Sequence, residues 1–222
     1  MKLTIIILLV MIVLTVVYSK YSQNKLLKEL YRLAYVDDDE EGFVLMLSSL
    51  EAQMLMSDIS RKMIELNYWI AKDNFVEVKS ATNILRNKKM NKDNTLSFYS
   101  LVIGYFADKH DNIAVDLLNE LKIKIKDNSD LNTNMLINDC EMVVDIYINH
   151  NVNLIDDLEK IINSDIDNNA KSIYQYRLAI LYKYNNEMDK CIMMLNEALN
   201  NTSNKNSKEK IESILKKGCS EL

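Results

Sequence analysis

The stretch Ser172 to Leu199, SIYQYRLAILYKYNNEMDKCIMMLNEAL, decides the fold. Leu178, Ala179 and Tyr182 share one face of a first helix, and beyond the Asn185-Asn186 turn Cys191, Leu195 and Ala198 share one face of a second. The two faces must meet, and so short a pair cannot bury its apolar stripe alone. It requires neighbours of the same kind on either side.

Those neighbours are legible up the chain. Leu27, Leu30 and Ala34, then Phe43, Leu47 and Leu50, flank the acidic turn Asp37 to Glu41. A second pair runs through Met63, Leu66 and Trp69, turns at Asp73-Asn74 and returns through Val78, Ala81 and Leu85, with Glu65 and Thr82 breaking its pattern. A third uses Phe98, Leu101, Val102 and Tyr105, then Ala114, Leu118 and Leu121; a fourth uses Met142, Val143 and Ile146, then Ile155, Leu158 and Ile162. The equivalent residues Ala34, Trp69, Tyr105, Ile146 and Tyr182 recur at intervals of 35, 36, 41 and 36, the longest interval holding the polar linker Lys126 to Asn132. Ser207 to Lys217 reads as a terminal capping helix ending at Gly218. The expected class is all-α: a solenoid of about five antiparallel helix pairs over residues 22–206, a capping helix over 207–222, and an apolar segment within 1–21.

Composition narrows the chemistry. Three glycines and no proline in 222 residues remove the usual punctuation of hairpins and phosphate-binding loops. Lys and Arg number 27 against 32 Asp and Glu, a net charge of -5, which supplies no basic excess for nucleic acid. Cys140, Cys191 and Cys219 lack CxxC spacing and read as free thiols, with Cys219 placed near an exposed end.

Leu3 to Tyr18, LTIIILLVMIVLTVVY, carries no charge and is flanked by Lys2 and Lys20. As a helix it spans roughly 24 Å, short of a roughly 30 Å hydrocarbon core, but lysines snorkel and Tyr18 and Tyr21 suit the interface. We read residues 3–18 as a single-pass membrane anchor; the alternative is a signal peptide cleaved before Lys20 and an exported protein. Lys20, Lys25, Lys28 and Arg32 on the carboxyl side favour repeats facing the cytoplasm.

The spacing of Leu178, Ala179, Tyr182, Cys191, Leu195 and Ala198, nearly matched by Phe98, Leu101, Tyr105, Ala114 and Leu118, resembles the tetratricopeptide repeat, a helix pair of roughly 34 residues. No pair carries that family's terminal proline. The resemblance implies a superhelix whose concave groove binds peptides or proteins, and it implies no activity. In that register the partner-binding groove is Tyr99, Ile103 and Phe106, then Val144 and Tyr147, then Tyr176, Ile180 and Tyr184, apolar and aromatic. The family's carboxylate clamp is not expected, because Tyr, Ile and Val stand where it needs Lys and Asn.

Sharper chemistry finds no footing. Asp37, Asp39, Glu41 and Gly42 copy the opening of a calcium loop, but Ser48 stands where its bidentate acid belongs. His110 and His150 lie in equivalent turns and read as turn residues, and no HExxH, GxSxG, GxxxxGK[ST] or GxGxxG occurs. No catalytic residue, metal or cofactor is expected. The functional expectation is a non-catalytic adaptor or scaffold at a membrane that binds a protein or peptide. The alternatives are a peptide- or small-molecule-sensing regulator on the same repeats, or an enzyme without a recognisable motif.

Overall fold

The computed structural model describes residues 2–126, 130–220 and 222, with side chains from Val17 onward. Among these residues the regular structure is helical, twelve α-helices and one 3-10 turn with no strand. The chain divides into two compact units, residues 1–91 and 92–222. The first holds α1 (Lys2–Tyr35), α2 (Glu40–Ser48), α3 (Leu50–Leu55), α4 (Asp58–Ala71) and α5 (Phe75–Arg86). The second holds α6 (Lys92–Asp108), α7 (Ile113–Ile125), α8 (Leu131–Tyr147), α9 (Ile155–Ile162), α10 (Asn168–Tyr184), α11 (Met188–Asn201) and α12 (Lys205–Lys216), with the 3-10 turn Val152–Leu154 before α9.

One local device recurs. Asp38, Asp73, His110, His150, Asn186 and Cys219 have φ between 50° and 62°, at intervals of 35, 37, 40, 36 and 33 residues. Short polar side chains are the L-residues that best tolerate this left-handed conformation, so a glycine-poor chain spends Asp, His and Asn there. At Asp73, His110 and Asn186 the geometry is a Schellman cap. The left-handed residue's N–H reaches the carbonyl of Ile70, Ala107 or Lys183, and the next N–H reaches Trp69, Phe106 or Tyr182. The opposite ends are capped by side chains: Asp39, Ser49, Ser57, Asn74, Asp130, Asp167 and Asn204 each accept from a backbone N–H of the following first turn. Each such cap contributes about 1 kcal/mol.

In the first unit Leu26, Leu30, Leu33, Phe43, Leu47, Leu66, Trp69, Val78 and Leu85 are buried, and Phe43 stacks on Tyr68 at 4.2 Å between ring centroids. The expected stripe Phe43, Leu47, Leu50 stops at Ser49, whose extended backbone (ψ 157°) ends α2 and starts α3. Leu50 is consequently 76% exposed and Ala52 is buried instead. Leu27 is likewise turned outward while Leu26 faces in. The acidic turn is structural: Asp39 caps α2 through the Gly42 N–H at 2.9 Å, and a Cβ on Gly42 would collide with that carboxylate. Asp37 pairs with Arg32 at 2.7 Å, and Asp38 pairs with Lys72.

The second unit buries every position on which the α10–α11 reading rests: Leu178, Ala179, Tyr182, Cys191, Leu195 and Ala198. Ala114, fully buried, has only a methyl to place in the α6–α7 contact, so the helices approach closely. The last helix, α12, buries Ile211 and Ile214 and is followed by left-handed Gly218 and Cys219. All three cysteines are buried and free, so Cys219 is not the accessible thiol its place near Leu222 suggests. The anchor assigned to residues 3–18 rests almost entirely on side chains outside the described residues. Among the described residues no helix is long and apolar enough to cross a membrane.

Candidate binding site

Of the eight residues assigned to the groove, Tyr99, Ile103, Phe106, Val144 and Ile180 are buried within the second unit. Tyr99 shows what the register misses: its hydroxyl donates to Glu120 Oε2 at 3.0 Å, so the ring reaches α7, the other helix of its own pair. Buried side chains of this size are core and leave no area for a partner. Tyr147 and Tyr176 are half-buried and Tyr184 is 39% exposed, so the open part of the face is confined to α8 and α10.

At that end lies a cavity of about 210 Å³. Asp108, the last residue of α6, and Tyr147, the last of α8, form one wall; Ser172, Ile173 and Tyr176 of α10 form another. The cavity is closed by Thr202 after α11 and by Ser207, Lys210 and Ile211 of α12. The link before α12 is tied down by Asn169 at the start of α10, whose Oδ1 accepts from both the N–H and the hydroxyl of Ser203 at 2.8 Å. Ser172 donates to the Ala198 carbonyl at 2.8 Å, fixing α10 to α11 behind the cavity.

The rim carries an ion pair. Lys210 Nζ lies 2.6 Å from Asp108 Oδ1, with side chains 48% and 38% exposed, and the same ammonium sits 5.4 Å from the centroid of the Tyr176 ring. Burial pushes the Tyr147 and Tyr176 hydroxyls well above the ordinary phenol range, and the Asp108 carboxylate adds to both shifts. At neutral pH both are neutral hydroxyls, able to donate and to accept. A second hollow, more open and polar at about 380 Å³, lies along Asn163, Asn168, Lys171, Glu197, Asn200 and Asn201.

The structure brings together two residues that the sequence leaves apart. His110 and His150 are 40 positions distant, yet their rings lie 6.1 Å apart and His150 stacks on Tyr184 at 3.5 Å with an 11° tilt. His110 Nδ1 is 2.8 Å from the Tyr147 carbonyl and His150 Nδ1 is 3.2 Å from that of Ile146. Burial, helped by His110 and Lys183 and opposed by the Ile146 contact, lowers the His150 pKa below its ordinary value. Their equivalent turn positions were the available sequence signal, because equivalent turns of consecutive helix pairs lie side by side. Among the described residues no group of three or more His, Cys, Asp or Glu converges as a metal site. Burial pushes the Cys140 and Cys191 thiols up to about 12, which favours the protonated form.

No family model, curated protein or solved structure matches this chain.

Proposed function

We propose that the chain is a non-catalytic helical-repeat adaptor of tetratricopeptide type, a short solenoid held at a membrane by residues 3–18 with the repeats on the cytoplasmic side. It binds a protein or peptide partner through the open end of its aromatic face, at Tyr147, Tyr176 and Tyr184. The observation that carries the reading is the recurrence of a left-handed turn residue at six places 33 to 40 residues apart, three of them with one and the same cap, since a repeated helix pair with a repeated turn is the building unit of such arrays. The site narrows to three tyrosines because the other five groove residues are core. One exposed and two half-buried aromatic rings on a common face are the kind of area that dominates interface energetics.

The test is a paired measurement on the full chain in detergent. Tyr184→Ala should abolish capture of a partner from solubilised membranes and leave the melting temperature nearly unchanged, because the ring is exposed and loses only its stacking on His150 and its contact with the Lys183 ammonium. Retained capture at an unchanged melting temperature removes Tyr184 from the site.

A further inference from the structure

We propose that the cavity between α6, α8, α10 and α12 is a binding site for a small zwitterion, an α-amino acid with an apolar or aromatic side chain. At about 210 Å³ the space lies below the roughly 300–1,000 Å³ of drug-sized pockets, so it takes a small molecule. Its rim presents one carboxylate and one ammonium, Asp108 and Lys210, 2.6 Å apart. A ligand of single charge that entered between them would pair with one of the two and leave the other to solvent. A neutral ligand would leave the pair closed and use only the apolar walls. A zwitterion inserts between the two and returns a counter-charge to each: its ammonium to Asp108, its carboxylate to Lys210.

The remaining walls suit the same molecule. Tyr147 and Tyr176 line the same cavity as Asp108 and bring phenol hydroxyls, which can accept from an ammonium, to its walls. The Tyr176 face, which now carries the Lys210 ammonium at 5.4 Å, serves a ligand cation equally. Ser207 lies one turn before Lys210 on the same wall and offers a hydroxyl to the carboxylate end. Ile173 and Ile211 supply the apolar surface for the side chain. A peptide fits this pattern poorly, since an internal segment offers neither terminal charge and an end offers one. The cavity shares Tyr147 and Tyr176 with the proposed partner face, but amino-acid binding is read without a partner and partner capture is read at Tyr184, outside the cavity lining, so the two can fail separately. A bound zwitterion would replace the direct Asp108–Lys210 contact between α6 and α12 and so act as a sensor input.

The experiment is thermal melting and calorimetry of the purified full chain with L-leucine and L-phenylalanine at up to ~10 mM. Leucinamide, which lacks the carboxylate, and 4-methylpentanoate, which lacks the ammonium, are the single-charge probes. The expected result is a rise in melting temperature and measurable binding with at least one amino acid and with neither single-charge probe. Asp108→Asn and Lys210→Gln should each weaken binding at least about tenfold, the loss of one charged partner. Tyr147→Phe removes one hydroxyl and keeps the ring that fills the wall, so it tests the site even if a charge variant folds poorly; a several-fold loss of affinity is expected. The proposal is overturned if neither amino acid binds. It is also overturned if leucinamide or 4-methylpentanoate binds as well as leucine, or if Asp108→Asn, Lys210→Gln and Tyr147→Phe leave the affinity unchanged.

Discussion

The α4–α5 and α10–α11 hairpins are built alike and finished differently. Both turn through a left-handed polar residue, Asp73 or Asn186, with the same pair of backbone bonds. In α10–α11 the buried polar side chains are paired: Ser172 with the Ala198 carbonyl, and Gln175 with both Glu197 at 2.8 Å and Asn201 at 2.9 Å. In α4–α5 the Tyr68 hydroxyl, the Trp69 indole N–H and the Thr82 hydroxyl are buried with no hydrogen-bond partner among the described residues. Period and cap are thus sufficient to make the hairpin, whereas polar pairing separates a fully satisfied core from one that retains a cost of about 1–3 kcal/mol per orphaned group.

The comparison can be broken most forcefully in the second unit. Phe106 is fully buried although the register assigns it to the groove, so Phe106→Ala should destabilise the chain by about 3–5 kcal/mol in chemical denaturation. A loss under about 1 kcal/mol would return Phe106 to the surface. The next effects have opposite signs in the two hairpins. Thr82→Val removes an orphaned hydroxyl at nearly constant shape and should stabilise by about 1 kcal/mol. Ser172→Ala should destabilise by about 1 kcal/mol and no more, because the Ala198 carbonyl also accepts from the Thr202 N–H at 3.0 Å. Equal signs would erase the distinction between the hairpins.

The smallest effect is a pH dependence. His150 has a folded pKa below its unfolded value, so as pH falls through about 6.5 the unfolded chain takes up a proton before the folded chain does, and stability declines until the folded pKa is passed. Melting between pH 7 and 5 should show this slope, and His150→Asn, which keeps a residue tolerant of the left-handed turn, should flatten it. The lowered carboxylates of Glu29, Asp58, Asp130 and Glu187 do not confuse the window, since their stabilisation is lost only at lower pH, on falling below the ordinary carboxylate pKa.

The helices and most of their core faces were legible because burial repeats with the helical period: Val78, Ala81 and Leu85 are buried as the spacing requires, and so are the six positions of α10–α11. The α2–α3 break was not, because the apolar spacing of Phe43, Leu47 and Leu50 runs through it unbroken, although Ser49 is a residue type that favours an N-cap, and Leu50 was misplaced with it. Glu65 interrupts its apolar stripe at little cost by pairing with Lys62 at 2.6 Å. The groove was legible as a face and illegible as a surface. Periodicity tells which way Ile103 or Val144 points, but whether that side is covered depends on the placement of the neighbouring helices, which no local pattern records. The cavity was beyond reach for the same reason, since Asp108 and Lys210 meet across 102 residues.

The division of the face into closed core and open site is the central claim, and tyrosine nitration of the native full chain, mapped by mass spectrometry, tests it most directly. Among the tyrosines of this face, Tyr184, exposed beside His150, should be modified before the others; Tyr147 and Tyr176, half-buried at the cavity, should follow slowly. Tyr99, 1% exposed and bonded to Glu120, should stay unmodified until the chain unfolds. Modification of Tyr99 as fast as Tyr184 would contradict the account, because it would mean that the groove is open along α6.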